Sequence, residues 1–215
     1  MSATGKQVSL YDTTLRDGTQ GEGFQLSGLD KLRIAHRLDE FGADYIEGGW
    51  PNPTNPKDLA FFEEVGKLGL RAQVTAFGST RRPTNSPEED ATLNTLLKAG
   101  TNTICIFGKS WILHVDAVLK TTAEDNVELI EDSVAYLITS GREVIYDAEH
   151  FFDGFKEDPD YAIATLQAAQ RGGARLVVLC DTNGGTMPGE LGEIFECTQA
   201  AVVDLPLGIH AHNDT

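Results

Sequence analysis

Residues 142–181, REVIYDAEHFFDGFKEDPDYAIATLQAAQRGGARLVVLCD, give the clearest indication of the fold class. The stretch begins with a run rich in strand-forming residues, EVIYDAE, and ends with a second one, LVVLCD. Between them, DPDYAIATLQAAQRGG has the apolar spacing of a helix and finishes on glycines, which commonly end helices. The short turn before the second run predicts two parallel strands joined by a right-handed helical crossover.

The same strand–helix unit recurs along the whole chain of 215 residues. Seven strand candidates start at Val8, Asp44, Leu70, Thr101, Arg142, Ala174 and Leu205. Helical segments separate these strands. The first helix is predicted to begin after an N-cap at Ser27 and to end at Gly42, with an apolar face formed by Leu32, Ala35, Leu38 and Phe41.

Two α/β architectures fit this alternation, a doubly wound sheet and a (β/α)8 barrel. A doubly wound nucleotide-binding fold favours G-x-G-x-x-G after strand one, whereas residues 13–25 here read TTLRDGTQGEGFQ. Polar residues instead follow the C-terminal ends of several strands, where barrel active sites are built. We therefore predict a TIM-type (β/α)8 barrel that forms a single catalytic domain over residues 1–215.

Composition and apolar patterning argue against nucleic-acid and membrane partners and against secretion. The chain has 33 acidic and 17 basic residues and a net charge of −16, which disfavours binding to nucleic acid or to an anionic membrane. The N-terminal residues lack the apolar core of a signal peptide, and no apolar run is long enough to span a bilayer. The three cysteines have no C-x-x-C spacing, and Cys105 and Cys180 lie in apolar runs, which is typical of buried, reduced thiols. We expect a cytoplasmic protein.

Candidate site residues follow the predicted strands at their C-terminal ends. They are Arg16 and Asp17 after strand one, Glu47 on strand two, Asp147, Glu149 and His150 on or after strand five, Asp181 and Thr182 after strand six, and His210 and His212 on strand seven. Because these ends meet at one mouth of a barrel, we expect the side chains to converge.

A metal site is predicted from Asp17, His210 and His212. His210 and His212 alternate with Ala211, so a strand directs both imidazoles to the same face. Two imidazoles and one carboxylate suit a divalent metal with open positions. The simpler interpretation is a pair of histidines at the surface or at the edge of the core.

The other candidates have chemical roles and simpler alternatives. Arg16 is suited to gripping a carboxylate or stabilising an enolate oxygen, although a surface ion pair with Asp17 would also explain it. Glu149 is suited to general acid–base catalysis or to positioning the substrate, and the simpler alternative is that it only accepts hydrogen bonds. Thr182 could hold a substrate carboxylate, or it only ends strand six.

The motifs TTLRDGTQ, residues 13–20, and GIHAHNDT, residues 208–215, identify a family resemblance. The chain resembles the citramalate, 2-isopropylmalate and homocitrate synthases, a branch of the DRE-TIM metallolyases that also include hydroxymethylglutaryl-CoA lyase. YIEGGWP, residues 45–51, and YDAEHFFDG, residues 146–154, are most similar to the citramalate synthases. The resemblance covers essentially the whole chain.

The resemblance implies a metal-dependent acyltransferase of branched-chain amino acid biosynthesis. Acetyl-CoA would condense with an α-keto acid, pyruvate for citramalate synthase, and release CoA. Mg²⁺ or Mn²⁺, with Zn²⁺ also compatible, would be held by Asp17, His210 and His212. Arg16 would contact the keto acid and stabilise the enolate, and Glu149 would serve catalysis or substrate positioning. Thr182 and Glu47 would complete the substrate site, and a homodimer is the expected assembly.

The same resemblance predicts parts that do not follow within these 215 residues. A fourth ligand, an asparagine, and an eighth strand are expected beyond the H-x-H pair. We therefore expect a barrel truncated after strand seven, incomplete at the C-terminus, and weakly active or inactive as this chain alone. The alternatives are a 2-isopropylmalate or homocitrate synthase, a related carbon–carbon lyase, and a catalytically impaired truncated barrel.

Overall fold

A computed structural model describes residues 8–212 of the chain. Contacts between Cα atoms divide these residues into two compact units. The first unit contains the described residues up to Phe77 together with Ala99–Thr103. The second contains Gly78–Lys98 and the described residues from Ile104 onward. The prediction of a single domain over residues 1–215 stays a prediction.

The strands confirm the predicted fold class. Seven strands follow one another in the sheet in their order along the chain. They are β1 Tyr11–Asp12, β2 Tyr45–Gly49, β3 Gln73–Ser79, β4 Thr103–Lys109, β5 Glu143–Glu149, β6 Leu176–Asp181 and β7 Leu207–Ala211. The pairs β1–β2, β2–β3, β5–β6 and β6–β7 are parallel. A doubly wound sheet reverses its strand order at a switch point, whereas this sequential order is that of a (β/α)8 barrel through seven strands.

Helices connect the strands as predicted, with two additions. The helices are α1 Gly28–Phe41, α2 Pro56–Val65, α3 Ala91–Lys98, α4 Ile112–His114, α5 Ala123–Thr139, α6 Phe151–Glu157, α7 Pro159–Gly172 and α8 Pro188–Ala201. The short helices α4 and α6 were not expected from the sequence. Helix α6 starts two residues after β5. It packs closely on the backbone of Ser110, since a Cβ added to Gly154 would lie 2.0 Å from the Ser110 carbonyl oxygen. Only glycine fits there.

Helix α1 begins and ends where the sequence predicts. The Ser27 side chain accepts the Asp30 N–H in a capping box, and Gly42 ends the helix at φ 100°. Ala35 is buried, as predicted for the apolar face. Phe41 is the exception, since its side chain is 77% exposed at the last helical position. The unexpected buried residue of α1 is Lys31.

Lys31 joins α1 to the segment that follows β2. Its ammonium donates to the Gly48 carbonyl at 3.0 Å and pairs with the Asp58 carboxylate. Asp58 also accepts the Trp50 N–H at 2.9 Å and the Asn55 side-chain amide at 2.8 Å. A buried charge is tolerated only when it is paired and hydrogen-bonded in this way. The network therefore fixes the chain just beyond Glu47.

We expect Lys31→Ala to lower the free energy of unfolding by about 3–5 kcal/mol, because it leaves the buried Asp58 carboxylate without its cation. Denaturant titration measures the change. The matched control is Arg37→Ala on the same helix, which breaks an exposed pair with Glu40 and should cost less than about 1 kcal/mol. Equal costs for the two variants would contradict a stabilising buried network.

The second unit has its core between the strands β5 and β6 and the helices α5 and α7. Strand β5 is buried at every position except its two ends, and the alanine-rich helix α7 packs against α5. Cys105 and Cys180 are buried thiols, as predicted, whereas Cys197 is exposed. Within residues 8–212, no helix has both the length and the apolar character needed to cross a membrane.

Candidate active site

In the first unit, Arg16 is held on three sides after β1. Its Nε donates to Glu47 Oε1 at 2.5 Å and its Nη1 to Asp17 Oδ1 at 2.9 Å. The guanidinium carbon lies 3.8 Å from the centre of the Phe77 ring, in a cation–π contact. The turn that carries Arg16 and Asp17 is held in place because the N–H groups of residues 16, 17 and 18 all donate to the Thr13 carbonyl. These contacts fix one orientation of the guanidinium.

Glu47 is the fully buried carboxylate of this cluster. Besides the bond from Arg16, it accepts the Tyr11 hydroxyl at 2.6 Å, and that hydroxyl lies 2.8 Å from Thr75 Oγ1. Both Glu47 oxygens therefore accept hydrogen bonds from the protein, and the Arg16 charge offsets the cost of burying the carboxylate. Tyr11, Phe77 and Thr75 were not singled out from the sequence. The alternation of side chains along a strand could have identified Tyr11 and Thr75, because both lie on the face of the sheet that carries Glu47.

In the second unit, Glu149 is paired with a cation that sequence reasoning missed. Lys109, the last residue of β4, forms an ion pair with Glu149, the last residue of β5. The Ser110 N–H also donates to the Glu149 carbonyl at 3.3 Å. Both side chains are partly exposed, at 15% for Lys109 and 26% for Glu149. Lys109 is the last residue of its strand, and the predicted residues were chosen because they lie at strand ends. The same criterion could therefore have identified Lys109 from the sequence.

His150 connects the ends of β5 and β6. Its backbone lies in the left-handed region at φ 54°, and its N–H donates to Thr182 Oγ1 at 2.9 Å. Its ring Nδ1 lies 3.0 Å from Asp153 Oδ2, which also accepts the Asn183 side-chain amide at 3.0 Å. The Thr182 hydroxyl accepts one bond and retains a proton that it can donate. Glu149 and Thr182 are thus held in a fixed relation through the residue between them.

Two aromatic side chains pack against His150. The His114 ring centre lies 4.4 Å from that of His150 in an edge-to-face arrangement, and the Trp111 ring centre lies 5.6 Å away. Burial lowers the pKa of His114, and the nearby His150 and Lys109 lower it further. His114 therefore favours the neutral imidazole beside His150.

His210 lies on β7 and His212 is the first residue beyond it, and their imidazoles are neighbours. Their ring centres are 5.0 Å apart and both residues are half-buried. The His212 N–H donates to the Asp181 carbonyl at 3.2 Å, which keeps the segment after β7 on β6. A Cβ on Gly184 would lie 2.8 Å from the His212 carbonyl oxygen, so this loop needs glycine to pack there. Two adjacent imidazoles fit the nitrogen ligands of a divalent cation.

The predicted residues fall into two groups, one in each unit. Arg16, Asp17 and Glu47 are in contact in the first unit. In the second unit, His150 links Glu149 to Thr182, and His210 is beside His212. The expectation that Asp17 shares a metal with the two histidines stays a prediction. Residues 213–215 of the second motif lie outside the described part of the chain.

Comparison with known proteins gives one consistent family. The HMGL-like family model matches residues 7–215. The (R)-citramalate synthase of Geobacter sulfurreducens is 56% identical over 97% of this chain, and that of Aquifex aeolicus is 54% identical over 98%. The 2-isopropylmalate synthase of Sulfurisphaera tokodaii is 32% identical over 99% of the chain. The chain spans 39–40% of the length of these two citramalate synthases.

Solved structures share the fold at low sequence identity. A hydroxymethylglutaryl-CoA lyase from Pseudomonas aeruginosa matches with a TM-score of 0.75 and 22% identity, covering 96% of this chain and 68% of the lyase chain. The corresponding lyase from Bacillus subtilis matches with a TM-score of 0.76 and 18% identity, covering 97% of this chain and 69% of the other. These matches support the barrel-type fold and carry no information on the reaction.

Proposed function

Because the chain belongs to the HMGL-like family, we propose that it supplies the catalytic residues of a metal-dependent acyltransferase acting on acetyl-CoA and pyruvate. One water is consumed, and the products are citramalate and free CoA. The observation that carries this proposal is the likeness to (R)-citramalate synthases at 54–56% identity, which extends through both units of the chain. A homodimer and a cytoplasmic location remain predictions.

A divalent cation is assigned to Asp17, His210 and His212. The neighbouring imidazoles of His210 and His212 support this assignment, as does the position of Asp17 in the turn that follows β1. Mg²⁺ and Mn²⁺ suit a carboxylate with retained waters, and the histidine pair makes Zn²⁺ compatible. When bound, the cation would polarise the keto carbonyl as a Lewis acid.

Arg16 is assigned to the negative charge that develops during condensation. A proton leaves the methyl group of acetyl-CoA, the resulting carbanion attacks the keto carbon, and water then cleaves the thioester. Charge accumulates on oxygen in this sequence, and a preorganised guanidinium stabilises it without having to reorient. The bonds to Glu47 and Asp17 and the contact with Phe77 supply that preorganisation.

Glu149 and Thr182 are assigned to proton transfer and to substrate binding. The Thr182 hydroxyl, already held by the His150 N–H, is able to donate its proton to the keto-acid carboxylate. Glu149 is the carboxylate for acid–base or positioning work, and Lys109 keeps it in place. Glu47, with both oxygens accepting protein donors, supports substrate binding through Arg16.

The substrate assignment is tested by measuring CoA release from acetyl-CoA across a panel of keto acids. The assay uses the full-length gene product and contains Mn²⁺ or Mg²⁺. We expect kcat/KM for pyruvate to exceed that for 2-ketoisovalerate by about 30-fold or more, because each of the two extra carbons alters the fit of an apolar pocket by about 1–3 kcal/mol. Acetyl-CoA without a keto acid is the control for hydrolysis.

Other outcomes of this assay identify other functions. A preference for 2-ketoisovalerate would assign the chain to the 2-isopropylmalate synthases, and a preference for 2-oxoglutarate would assign it to the homocitrate synthases. Cleavage of hydroxymethylglutaryl-CoA without any condensation would contradict an acyltransferase and favour the lyase chemistry.

A further inference from the structure

A buried acidic residue of β5 lies behind one of the histidines. Asp147 is only 7% exposed, although its side of the strand is one where barrels usually carry branched apolar side chains. Asp147, Cys180 and His210 each offer a ligand-type atom, and these atoms all lie within 4.8 Å of one another. The three residues belong to the same unit.

Strand alternation arranges the residues of β5, β6 and β7 in two layers. Glu149, Thr182 and His212 lie at or just beyond the strand ends. Asp147, Cys180 and His210 lie two positions earlier on each strand and therefore face the same side one layer deeper. The register makes Cys180 the direct partner of His210, and it pairs Asp147 with Val178, which lies two positions before Cys180 on the same face of β6. Within this layer, the Asp147 carboxylate lies within 4.8 Å of a ring nitrogen of His210.

We propose that Asp147 is a positioning residue that accepts the ring N–H of His210 and so directs the other ring nitrogen toward the metal site. An imidazole ligand usually donates its second N–H to a carboxylate or carbonyl, which fixes the tautomer and makes the ring a stronger ligand. The inference rests on the metal role of His210 in the proposed function.

Cys180 provides a matched comparison within the same layer. Its thiol makes a long contact, 3.7 Å, with the Val178 carbonyl on its own strand. A thiol is a weak acceptor and carries no charge, so it orients an imidazole poorly. Replacing Cys180 by serine changes the same layer by one atom while leaving the Asp147 carboxylate in place.

The test is calorimetric titration of the full-length gene product with Mn²⁺. Asp147→Asn, which keeps the shape and removes the charge, should weaken Mn²⁺ binding about 10–100-fold. Cys180→Ser should stay within about threefold of the wild type. His210→Ala reports on the metal site itself. Asp147→Ser is a second variant in case the asparagine variant does not fold, with circular dichroism as the check for both.

Nitrogen-15 NMR of the His210 ring gives a readout that a purely structural role would not change. The metal-free wild type should show a single neutral tautomer, whereas Asp147→Asn should show a mixture of the two. If His210→Ala weakens Mn²⁺ binding and Asp147→Asn does not, the positioning role is wrong and the metal site stands. If His210→Ala has no effect on binding, the proposed metal site itself is wrong.

Discussion

His212→Ala is expected to weaken Mn²⁺ binding by about a hundredfold or more and to abolish metal-dependent CoA release. The loss follows from removing a ligand directly, since changes one shell further out already cost about 10–100-fold. His212 is beside His210 and is held by the bond from its N–H to the Asp181 carbonyl, which alanine retains. The fold should therefore survive the substitution.

The control for this change is His36→Ala, which removes an exposed histidine of α1 that pairs with Glu40 on the same helix. It should leave metal affinity and CoA release within about twofold of the wild type. Calorimetry and the CoA-release assay are run on both variants. Full activity of His212→Ala would overturn the assignment of the histidine pair as metal ligands.

Arg16→Lys is expected to lower kcat/KM about 10²–10³-fold while metal affinity changes by less than about threefold. Lysine keeps the charge but loses the planar fork, so the bond to Glu47 and the flat contact with Phe77 are both lost. The ammonium is then free to adopt several positions, and the stabilisation of a developing oxyanion falls. Steady-state kinetics with saturating metal measures the effect.

Arg37→Lys on α1 is the matched substitution, because it changes the same side chain in an exposed ion pair with Glu40. It should be kinetically silent. A twofold effect or less for Arg16→Lys would mean that charge alone suffices and that the orientation set by Glu47 and Phe77 has no catalytic role. Circular dichroism confirms that both variants are folded.

The fold was predictable because its signals are local. Runs rich in β-branched residues and helices that end at glycine specify strand and helix without tertiary information, and their strict alternation specifies the sheet order. Helix α6 was missed because it has only seven residues and carries Gly154, a poor helix former, in its interior. Close packing on Ser110 outweighs that propensity.

The site was predictable where position at a strand end carries the information. Arg16, Glu149 and Thr182 were selected as candidates in this way, whereas Lys109 has the same kind of position and was not selected. The buried Lys31 was missed for a related reason, since a lysine on a helix normally faces water. The partners of these charges, Glu149 and Asp58, are 40 and 27 residues away in the chain, a distance that no local pattern spans.

The left-handed backbone of His150 allows the effect of losing its imidazole to be measured separately from the effect of disturbing its main chain. At φ 54°, asparagine and glycine are compatible with the main chain, whereas β-branched residues would strain it. His150→Asn therefore removes the imidazole but keeps the N–H that holds Thr182, and His150→Val should disturb both. Comparing the two variants assigns any loss to the ring or to the path of the main chain, at a residue that lies directly between two proposed substrate groups.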